Sequence, residues 1–186
     1  KQLDRGINAQ TNANSIKHIL TSAISAANSS VYSMSCQDEA LKGMGTTVVC
    51  CVVKDKTAYV MYAGDSRLYK IGDSIQRITK DHSVVQQMVD DGIITEEEAQ
   101  NHPKKRYITR ALGVEPEIYC DYIEFECEDT DVILLCSDGL TNKISDNEIE
   151  DITHNTPLSE LSQVLIDKSN ERGGEDNITA VVLSQF

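Results

Sequence analysis

Apolar residues at helical spacing define the first predictable element of the chain. Between Ile16 and Met34 they recur every three or four positions, which is the spacing of one face of an α-helix. We place the start of this helix at Asn14 or Ser15, because Asn and Ser side chains accept hydrogen bonds from first-turn amides. The pattern predicts an amphipathic helix of about five turns. Its apolar members are Ile16, Ile19, Leu20, Ala23, Ile24, Ala27, Val31 and Met34.

After Thr46 the pattern changes to short runs of β-branched and aromatic residues, which are typical of strands. The run 131–136 contains four consecutive apolar residues, as expected of a strand buried on both faces, so it should lie centrally in its sheet. A Gly72-Asp73 turn joins two of the runs and favours antiparallel pairing. The predicted strands are residues 46–53, 57–63, 67–71, 74–79, 117–125, 131–136 and 177–183.

Residues 82–107 interrupt the strands with a helical pattern. Apolar side chains from Val84 to Val89 share one helical face. Thr95 is followed three residues later by Glu98, which is the capping-box signature of a second short helix. We therefore interpret 82–107 as a helical insertion between strands.

Two more helices are predicted near the end of the chain. One covers about 145–153 and opens with a capping box of Ser145 and Glu148. The other covers about 158–171, with Pro157 as its first helical residue. Because strands and helices each come in runs, the α+β class, with antiparallel sheets flanked by helices, is favoured over a doubly wound parallel sheet.

The charge of the chain excludes some classes of partner. Its 186 residues are typical of one domain, and 30 acidic against 17 basic residues give a net charge of −13. A nucleic-acid interface would need a basic surface, and the only basic cluster, Lys104-Lys105-Arg106, is too short for that role. No apolar run approaches the length of a membrane span.

The cysteines indicate a reducing compartment. We predict that all six are reduced thiols, because the chain shows neither a secretory signal nor the spacing of a small disulfide-stapled scaffold. A cytoplasmic location is therefore expected. No Cys-x-x-Cys pair suggests a zinc site. No cysteine is followed six residues later by the arginine that a cysteine-nucleophile phosphatase would need.

Three aspartates next to glycine are the candidates for chemistry: Asp65, Asp138 and Asp176. Each taken singly is more simply a turn residue. However, Asp138 follows the most apolar predicted strand and Asp176 precedes another, so both lie at the rim of a core. Converging carboxylates without His or Cys suit Mg²⁺ or Mn²⁺, which indicates metal-assisted hydrolysis.

A series of short motifs, in order along the chain from about Gly43 to Val182, resembles the metal-dependent PP2C-type (PPM) protein phosphatases. The bacterial single-domain Ser/Thr phosphatases that reverse Hanks-type kinases are the most similar members. The motifs are Gly43-Met44-Gly45-Thr46-Thr47, Gly64-Asp65-Ser66-Arg67, Thr79-Lys80-Asp81-His82-Ser83, Thr109-Arg110-Ala111-Leu112-Gly113, Ser137-Asp138-Gly139-Leu140-Thr141-Asn142 and Gly173-Gly174-Glu175-Asp176-Asn177-Ile178-Thr179.

The resemblance implies a β-sandwich of two antiparallel sheets flanked by helices, with a dinuclear Mn²⁺ or Mg²⁺ centre. Asp138 and Asp176 match the core metal ligands. Asp65 matches the residue that, with Asp138, holds a third and more weakly bound metal in bacterial members. Asn177 would orient Asp176, and residues 82–107 match the mobile flap beside the site.

The activity implied is hydrolysis of phosphoserine and phosphothreonine in proteins by a metal-activated water, without a covalent intermediate. The implied partners are phosphorylated proteins that a cognate Hanks-type Ser/Thr kinase modifies. Nucleic acid is not expected as a partner, no membrane span is expected, and the complete protein is expected to be a monomer.

The sequence also departs from the family pattern. The first strand of the family, with its phosphate-binding arginine, and the following Asp-Gly-x-Gly-Gly segment have no match before the first helix, where Arg5 is the only arginine. We therefore expect residues 1–186 to be a single PP2C-like domain that lacks its N-terminal segment, binds metal poorly and is inactive by itself.

Two alternatives remain open on the sequence. One is a catalytically inactive interaction domain on the same scaffold. The other is a serine esterase of the Gly-Asp-Ser type, with Ser66 as nucleophile and Asp151 and His154 as its partners. His82 and His102 are candidate proton donors, although we favour surface positions for both.

Overall fold

The structure is a computed structural model that describes residues 7–8 and 10–186. Helices and strands alternate in runs along the described chain. The strands are β1 (Val48–Lys54), β2 (Thr57–Ala63), β3 (Arg67–Ile71), β4 (Ile75–Arg77), β5 (Asp121–Glu126), β6 (Val132–Cys136) and β7 (Ala180–Ser184). The helices are α1 (Ala13–Gln37), a 3₁₀ turn (Glu39–Leu41), α2 (Val84–Asp90), α3 (Glu96–Gln100), α4 (Asp138–Thr141), α5 (Asp146–Asn155) and α6 (Leu158–Glu171).

The chain forms two compact units. The three-stranded unit contains the described residues up to Val53 together with Thr57–Gly64 and Asp81–Phe125. The four-stranded unit contains Lys54–Lys56, Asp65–Lys80 and Glu126–Phe186.

In the three-stranded unit, helix α1 packs on a sheet with the strand order β1-β2-β5. The buried residues Ile16, Leu20 and Ile24 of α1 meet Met61 of β2 and Leu112. Strand β1 is half-buried along its whole length. Within the described residues, β1 is therefore a partly exposed strand at one edge of this sheet.

The four-stranded unit contains an antiparallel sheet with the order β4-β3-β6-β7. Strand β6 lies between β3 and β7, and four of its five residues are buried. The continuous apolar sequence of β6 explains this position, because a strand between two others with helices nearby has no face for polar side chains. Helices α4, α5 and α6 add Leu140, Ile149, Leu161 and Leu165 to the core of this unit.

The predicted α+β class with two antiparallel sheets is confirmed, and so is the central position of β6. The six cysteines are thiols and not disulfides, as expected. Within the residues that the structure describes, no helix is long and apolar enough to cross a membrane.

The prediction for the first helix was wrong at both ends. Its N-cap is Asn12, whose side chain accepts a hydrogen bond from the Ser15 amide, and the helix continues to Gln37 over 25 residues. The apolar stripe is also shorter than the pattern suggests, since Met34 is 52% exposed. The buried face instead includes Asn28, whose side chain bonds the backbone at Gly113, Glu115 and Pro116.

Both predicted capping boxes are present, at Thr95 with Glu98 and at Ser145 with Glu148. The insertion at 82–107 contains α2 and α3 and then continues as turns rather than as helix. Pro157 is the N-cap of α6 and not its first helical residue.

Candidate metal site

The strand register of the four-stranded unit places the three candidate aspartates at one end of its sheet. Arg67 of β3 pairs with Cys136 of β6, and Cys136 pairs with Ala180 of β7. Asp65 lies two residues before Arg67, and Asp138 lies two residues after Cys136. Because the two strands are antiparallel, both aspartates lie at the same end of the pair. Asp176 precedes Ala180 by four residues and approaches the same end.

Asp138 is the first residue of the short helix α4, a feature that the sequence did not predict. Its side chain is half-buried, and its Oδ2 atom accepts a hydrogen bond of 3.1 Å from Nδ2 of Asn142, one helical turn later. A carboxylate in a first helical turn also lies at the positive end of the local peptide dipoles. The hydrogen bond from Asn142 fixes the direction of the Asp138 carboxylate.

Ser137 ties the segment of Asp138 to the segment of Asp176. Its Oγ atom donates a 3.1 Å hydrogen bond to the Asn177 carbonyl oxygen and accepts a 3.0 Å bond from the Thr179 amide. The Ser137 amide in turn donates to the Thr179 carbonyl oxygen at 3.1 Å. These bonds extend the β6–β7 pairing past the ends of both strands and bring the two aspartate-bearing segments side by side.

Gly139 is needed for this close approach. A Cβ atom at this position would lie 2.4 Å from the Asn177 carbonyl oxygen, which is far inside van der Waals contact. Asn177 contacts Asp176 through its backbone, since the Asn177 amide donates to Oδ1 of Asp176 at 2.7 Å. The glycine in the Asp-Gly motif thus has a packing reason next to the candidate site.

The donor chemistry of these residues fits a hard divalent cation. Asp176 is exposed and Asp138 is half-buried, and neither forms an ion pair with a lysine or arginine among the described residues. All the donors that they offer are carboxylate oxygens, which Mg²⁺ and Mn²⁺ prefer. In the same described part of the chain, no three acidic, His or Cys side chains are already grouped around one point. Asp65 is half-buried, two residues before the start of β3.

His82 is buried in the three-stranded unit, so our favoured interpretation of it as a surface residue was wrong. Only 8% of the residue is exposed, and its ring stacks on Tyr62 at 5.0 Å between centroids. Nδ1 of His82 accepts a 3.1 Å hydrogen bond from the Gly64 amide, while the His82 amide donates to the Gly64 carbonyl at 2.9 Å. The imidazole therefore fixes the backbone where β2 ends.

The Nε2 edge of the His82 ring meets an ion pair. Nε2 lies 3.3 Å from Oδ2 of Asp121 and 3.1 Å from Nη1 of Arg110, and Arg110 donates to Oδ1 of Asp121 at 2.6 Å. Because Nδ1 is an acceptor, the neutral ring carries its hydrogen on Nε2, facing Asp121. Burial, and then the charge of Arg110, lower the pKa of His82 below its ordinary value. Burial raises the pKa of Asp121, but hydrogen bonds from Arg110 and His82 outweigh it and lower that pKa.

Sequence reasoning missed the structural roles of Ser137 and Asn142, although both stand in the motif that carries Asp138. The signal for Asn142 was its spacing of four residues from Asp138, which places the two side chains on one face of a helix. No local pattern pointed to Asp121, because it joins His82 and Arg110 only through the fold of the three-stranded unit.

The local structure does not fit the serine-esterase alternative. Ser66 lies directly before strand β3, whereas the nucleophile of such enzymes lies on a strand-to-helix turn. His154 is exposed near the end of α5, and its Nε2 atom lies 2.9 Å from the Gly72 carbonyl oxygen.

Comparison with known proteins agrees with this architecture. The family model of protein phosphatase 2C matches residues 1–181. The chain therefore belongs to the protein phosphatase 2C family.

Named relatives are bacterial phosphatases. The serine/threonine phosphatase stp of Listeria welshimeri is 42% identical over 147 residues, which are 78% of this chain and 58% of that protein. The protein phosphatase PhpP of Streptococcus pneumoniae is 43% identical over 150 residues, 80% of this chain and 61% of that protein. The chain thus matches about three fifths of the length of these relatives.

Solved structures share the fold. The serine/threonine phosphatase of S. agalactiae superposes with a TM-score of 0.89 at 32% identity, covering 98% of this chain and 76% of that one. The catalytic domain of the serine/threonine protein phosphatase PstP, solved with two manganese ions, gives a TM-score of 0.83 at 33% identity, covering 96% and 73%.

Proposed function

We propose that this protein is a metal-dependent protein serine/threonine phosphatase. The carrying observation is the register of β3, β6 and β7, which directs Asp65, Asp138 and Asp176 toward one end of the four-stranded sheet. Family membership and the phosphatase relatives support the same activity. The substrates are phosphoserine and phosphothreonine residues of proteins.

Asp138 and Asp176 are the proposed core ligands of two Mn²⁺ or Mg²⁺ ions, and Asp65 with Asp138 is proposed to hold a third. The manganese found in the PstP structure supports a metal of this kind. When bound, such ions lower the pKa of water and neutralise charge on phosphoryl oxygens. Asn142 and Ser137 keep the Asp138 segment in place, and the Asn177 amide orients the carboxylate of Asp176.

The proposed setting is the bacterial cytoplasm. Six cysteine thiols without a disulfide support a reducing compartment. The named phosphatase relatives support phosphorylated proteins as substrates. The proposed partners are the protein targets of a cognate Hanks-type kinase, and the protein is proposed to act as a monomer.

The test is Mn²⁺-dependent hydrolysis of p-nitrophenyl phosphate by the full-length protein and its variants. We expect Asp138→Ala and Asp176→Ala each to lower kcat/KM by about a hundredfold or more, because each removes a carboxylate from the metal centre. Asp65→Ala should lower turnover while leaving calorimetric binding of Mn²⁺ to the core largely intact.

Asp151→Ala is the matched control, since Asp151 is an exposed aspartate of the same unit on helix α5. It should keep normal Mn²⁺-dependent activity, because Asp151 is not a proposed metal ligand. Near-normal activity of the Asp138 or Asp176 variants would refute the assignment. Wild-type protein that binds no Mn²⁺ and hydrolyses nothing would identify an inactive interaction domain.

A further inference from the structure

The segment 103–109, after helix α3, is exposed at every residue. Lys104, Lys105 and Arg106 follow one another there, and the next residue, Tyr107, is 63% exposed. We call residues 104–107 the basic turn. An exposed tyrosine next to three cations is an arrangement suited to contact with another molecule, because the ring offers apolar area and a hydroxyl while the cations offer charge.

The charges of the basic turn have no acidic partner at ion-pair distance in residues 7–8 and 10–186. Among the residues that the structure describes, no ion pair involves Lys104, Lys105 or Arg106. The preceding helix carries Glu96, Glu97 and Glu98; Glu98 is engaged in its own capping box with Thr95, and in the described residues neither Glu96 nor Glu97 forms an ion pair with the basic turn. Three unpaired cations in succession stand out on a chain whose net charge is −13.

The backbone of the basic turn is held in place by the protein itself. His102 accepts hydrogen bonds from the Lys104 amide through Nδ1, at 3.1 Å, and from the Lys105 amide through its carbonyl, at 3.0 Å. The Tyr107 amide donates a hydrogen bond to the Lys104 carbonyl oxygen at 3.0 Å, and the Tyr107 carbonyl oxygen accepts one from the Val84 amide at 2.8 Å. The turn is therefore anchored to the start of α2, and its side chains point outward without a further ordering of the main chain.

We propose that the basic turn is a docking site for acidic segments of the phosphoprotein substrate. This inference rests on the proposed phosphatase function and names the class of substrate that the enzyme prefers. A phosphoprotein is repelled by a strongly acidic enzyme, and a fixed group of unpaired cations gives it a local point of attraction. Charges of this exposed kind act mainly on the rate of encounter and on its salt dependence.

An acidic polypeptide fits this surface better than nucleic acid or a membrane does. The affinity of a protein for such polyanions rises with the number of phosphates that its lysines and arginines neutralise, because each neutralised phosphate releases counterions. Three cations on an acidic chain contribute little affinity of this kind. Three cations and one aromatic ring are instead comparable in size with a short acidic peptide segment.

The first experiment measures binding without catalysis. Fluorescein-labelled phosphothreonine peptides, flanked either by Asp and Glu or by Lys, are titrated with the full-length protein in the presence of EDTA, and anisotropy is recorded. We expect the acidic peptide to bind more tightly, and the variant K104A/K105A/R106A to weaken its binding by about fivefold at low salt. The difference should shrink as salt is added.

The matched control is K42A/K56A/K168A, which removes the same charge at exposed or half-exposed lysines of other segments. It should bind the acidic peptide nearly as wild type does. Equal binding of both peptides by wild type, or equal loss in the control variant, would overturn the proposal. Tighter binding of duplex DNA or of phosphatidylserine vesicles than of the acidic peptide, lost in K104A/K105A/R106A, would also overturn it in favour of another polyanion.

The second experiment separates docking from catalysis. K104A/K105A/R106A should hydrolyse p-nitrophenyl phosphate normally but show a KM raised about fivefold for the acidic phosphopeptide, with kcat unchanged. Loss of p-nitrophenyl phosphate hydrolysis in this variant would overturn a docking role. If wild type hydrolyses neither substrate, the proposed function fails, whereas the anisotropy titration still decides whether the basic turn binds acidic peptides.

Discussion

The two units position their polar clusters by different kinds of contact. In the four-stranded unit, the candidate metal ligands lie at the ends of strands whose central member, β6, is buried and paired on both sides. In the three-stranded unit, the polar cluster of His82, Arg110 and Asp121 and the basic turn belong to turns, loops and strand ends.

The difference shows two ways of fixing a polar group. Asp138 and Asp176 are positioned by the main-chain ladder of β6 and β7, which Ser137 extends. His82 is positioned by side-chain and backbone bonds to Gly64 and by stacking on Tyr62. The ladder depends on strand packing, so core mutations should disturb it most, whereas the His82 cluster should respond most to pH.

The largest effect is expected from a cavity in the centre of the four-stranded sheet. Leu134→Ala removes a fully buried side chain of β6 and should lower the free energy of unfolding by about 2–5 kcal/mol. Val52→Ala in β1 truncates a half-buried side chain and should cost about 1 kcal/mol or less. Urea unfolding followed by circular dichroism measures both. Equal losses would show that β1 supports its unit as strongly as β6 does.

The next effect concerns the contact between the two aspartate-bearing segments. Gly139→Ala places a Cβ atom 2.4 Å from the Asn177 carbonyl oxygen, so the Asp176 segment must move. We expect a loss of about 1–3 kcal/mol in unfolding free energy and weaker calorimetric Mn²⁺ binding. Ser137→Ala, which removes two hydrogen bonds but adds no atoms, should lose less stability. Unchanged Mn²⁺ affinity in Gly139→Ala would show that metal binding does not depend on this contact between the two segments.

The smallest effect is the pH dependence of the His82 cluster. Because burial lowers the pKa of His82 in the folded protein, the unfolded chain binds more protons once the pH falls below about 6.5, the ordinary value. Stability should therefore decrease as the pH is lowered through that value, until the folded pKa is also passed. The nearby Asp121 and Asp81 oppose this shift, and Arg110 adds to it.

His82→Asn is the control for this prediction. The Asn side-chain oxygen can accept the Gly64 hydrogen bond in place of Nδ1 but does not titrate. Urea unfolding of both proteins between about pH 5 and pH 7.5 should give a shallower pH dependence for the variant. Parallel curves would mean that His82 has the same pKa in the folded and the unfolded chain.

Local patterns predicted much of the fold. The continuous apolar run of β6 predicted its central position, and the Thr95 and Ser145 capping boxes predicted the starts of α3 and α5. Such features depend on residues a few positions apart, so the sequence displays them directly. The start of α1 was placed two or three residues late, because the apolar periodicity begins only at Ile16 and does not show that the first turn extends back to the Asn12 cap.

The sequence by itself determined which residues offer the chemistry: carboxylates beside glycines at strand ends, and one short basic cluster on an acidic chain. Only the tertiary structure decided which of them meet. The pairing of β6 with both β3 and β7 brings residues more than 100 positions apart to one end of the sheet. The close approach of the Asn177 carbonyl oxygen leaves no room for a side chain at Gly139. Folding also buried His82 between Tyr62 and the Arg110–Asp121 pair, because long-range contacts, unlike local periodicity, leave no mark in neighbouring residues.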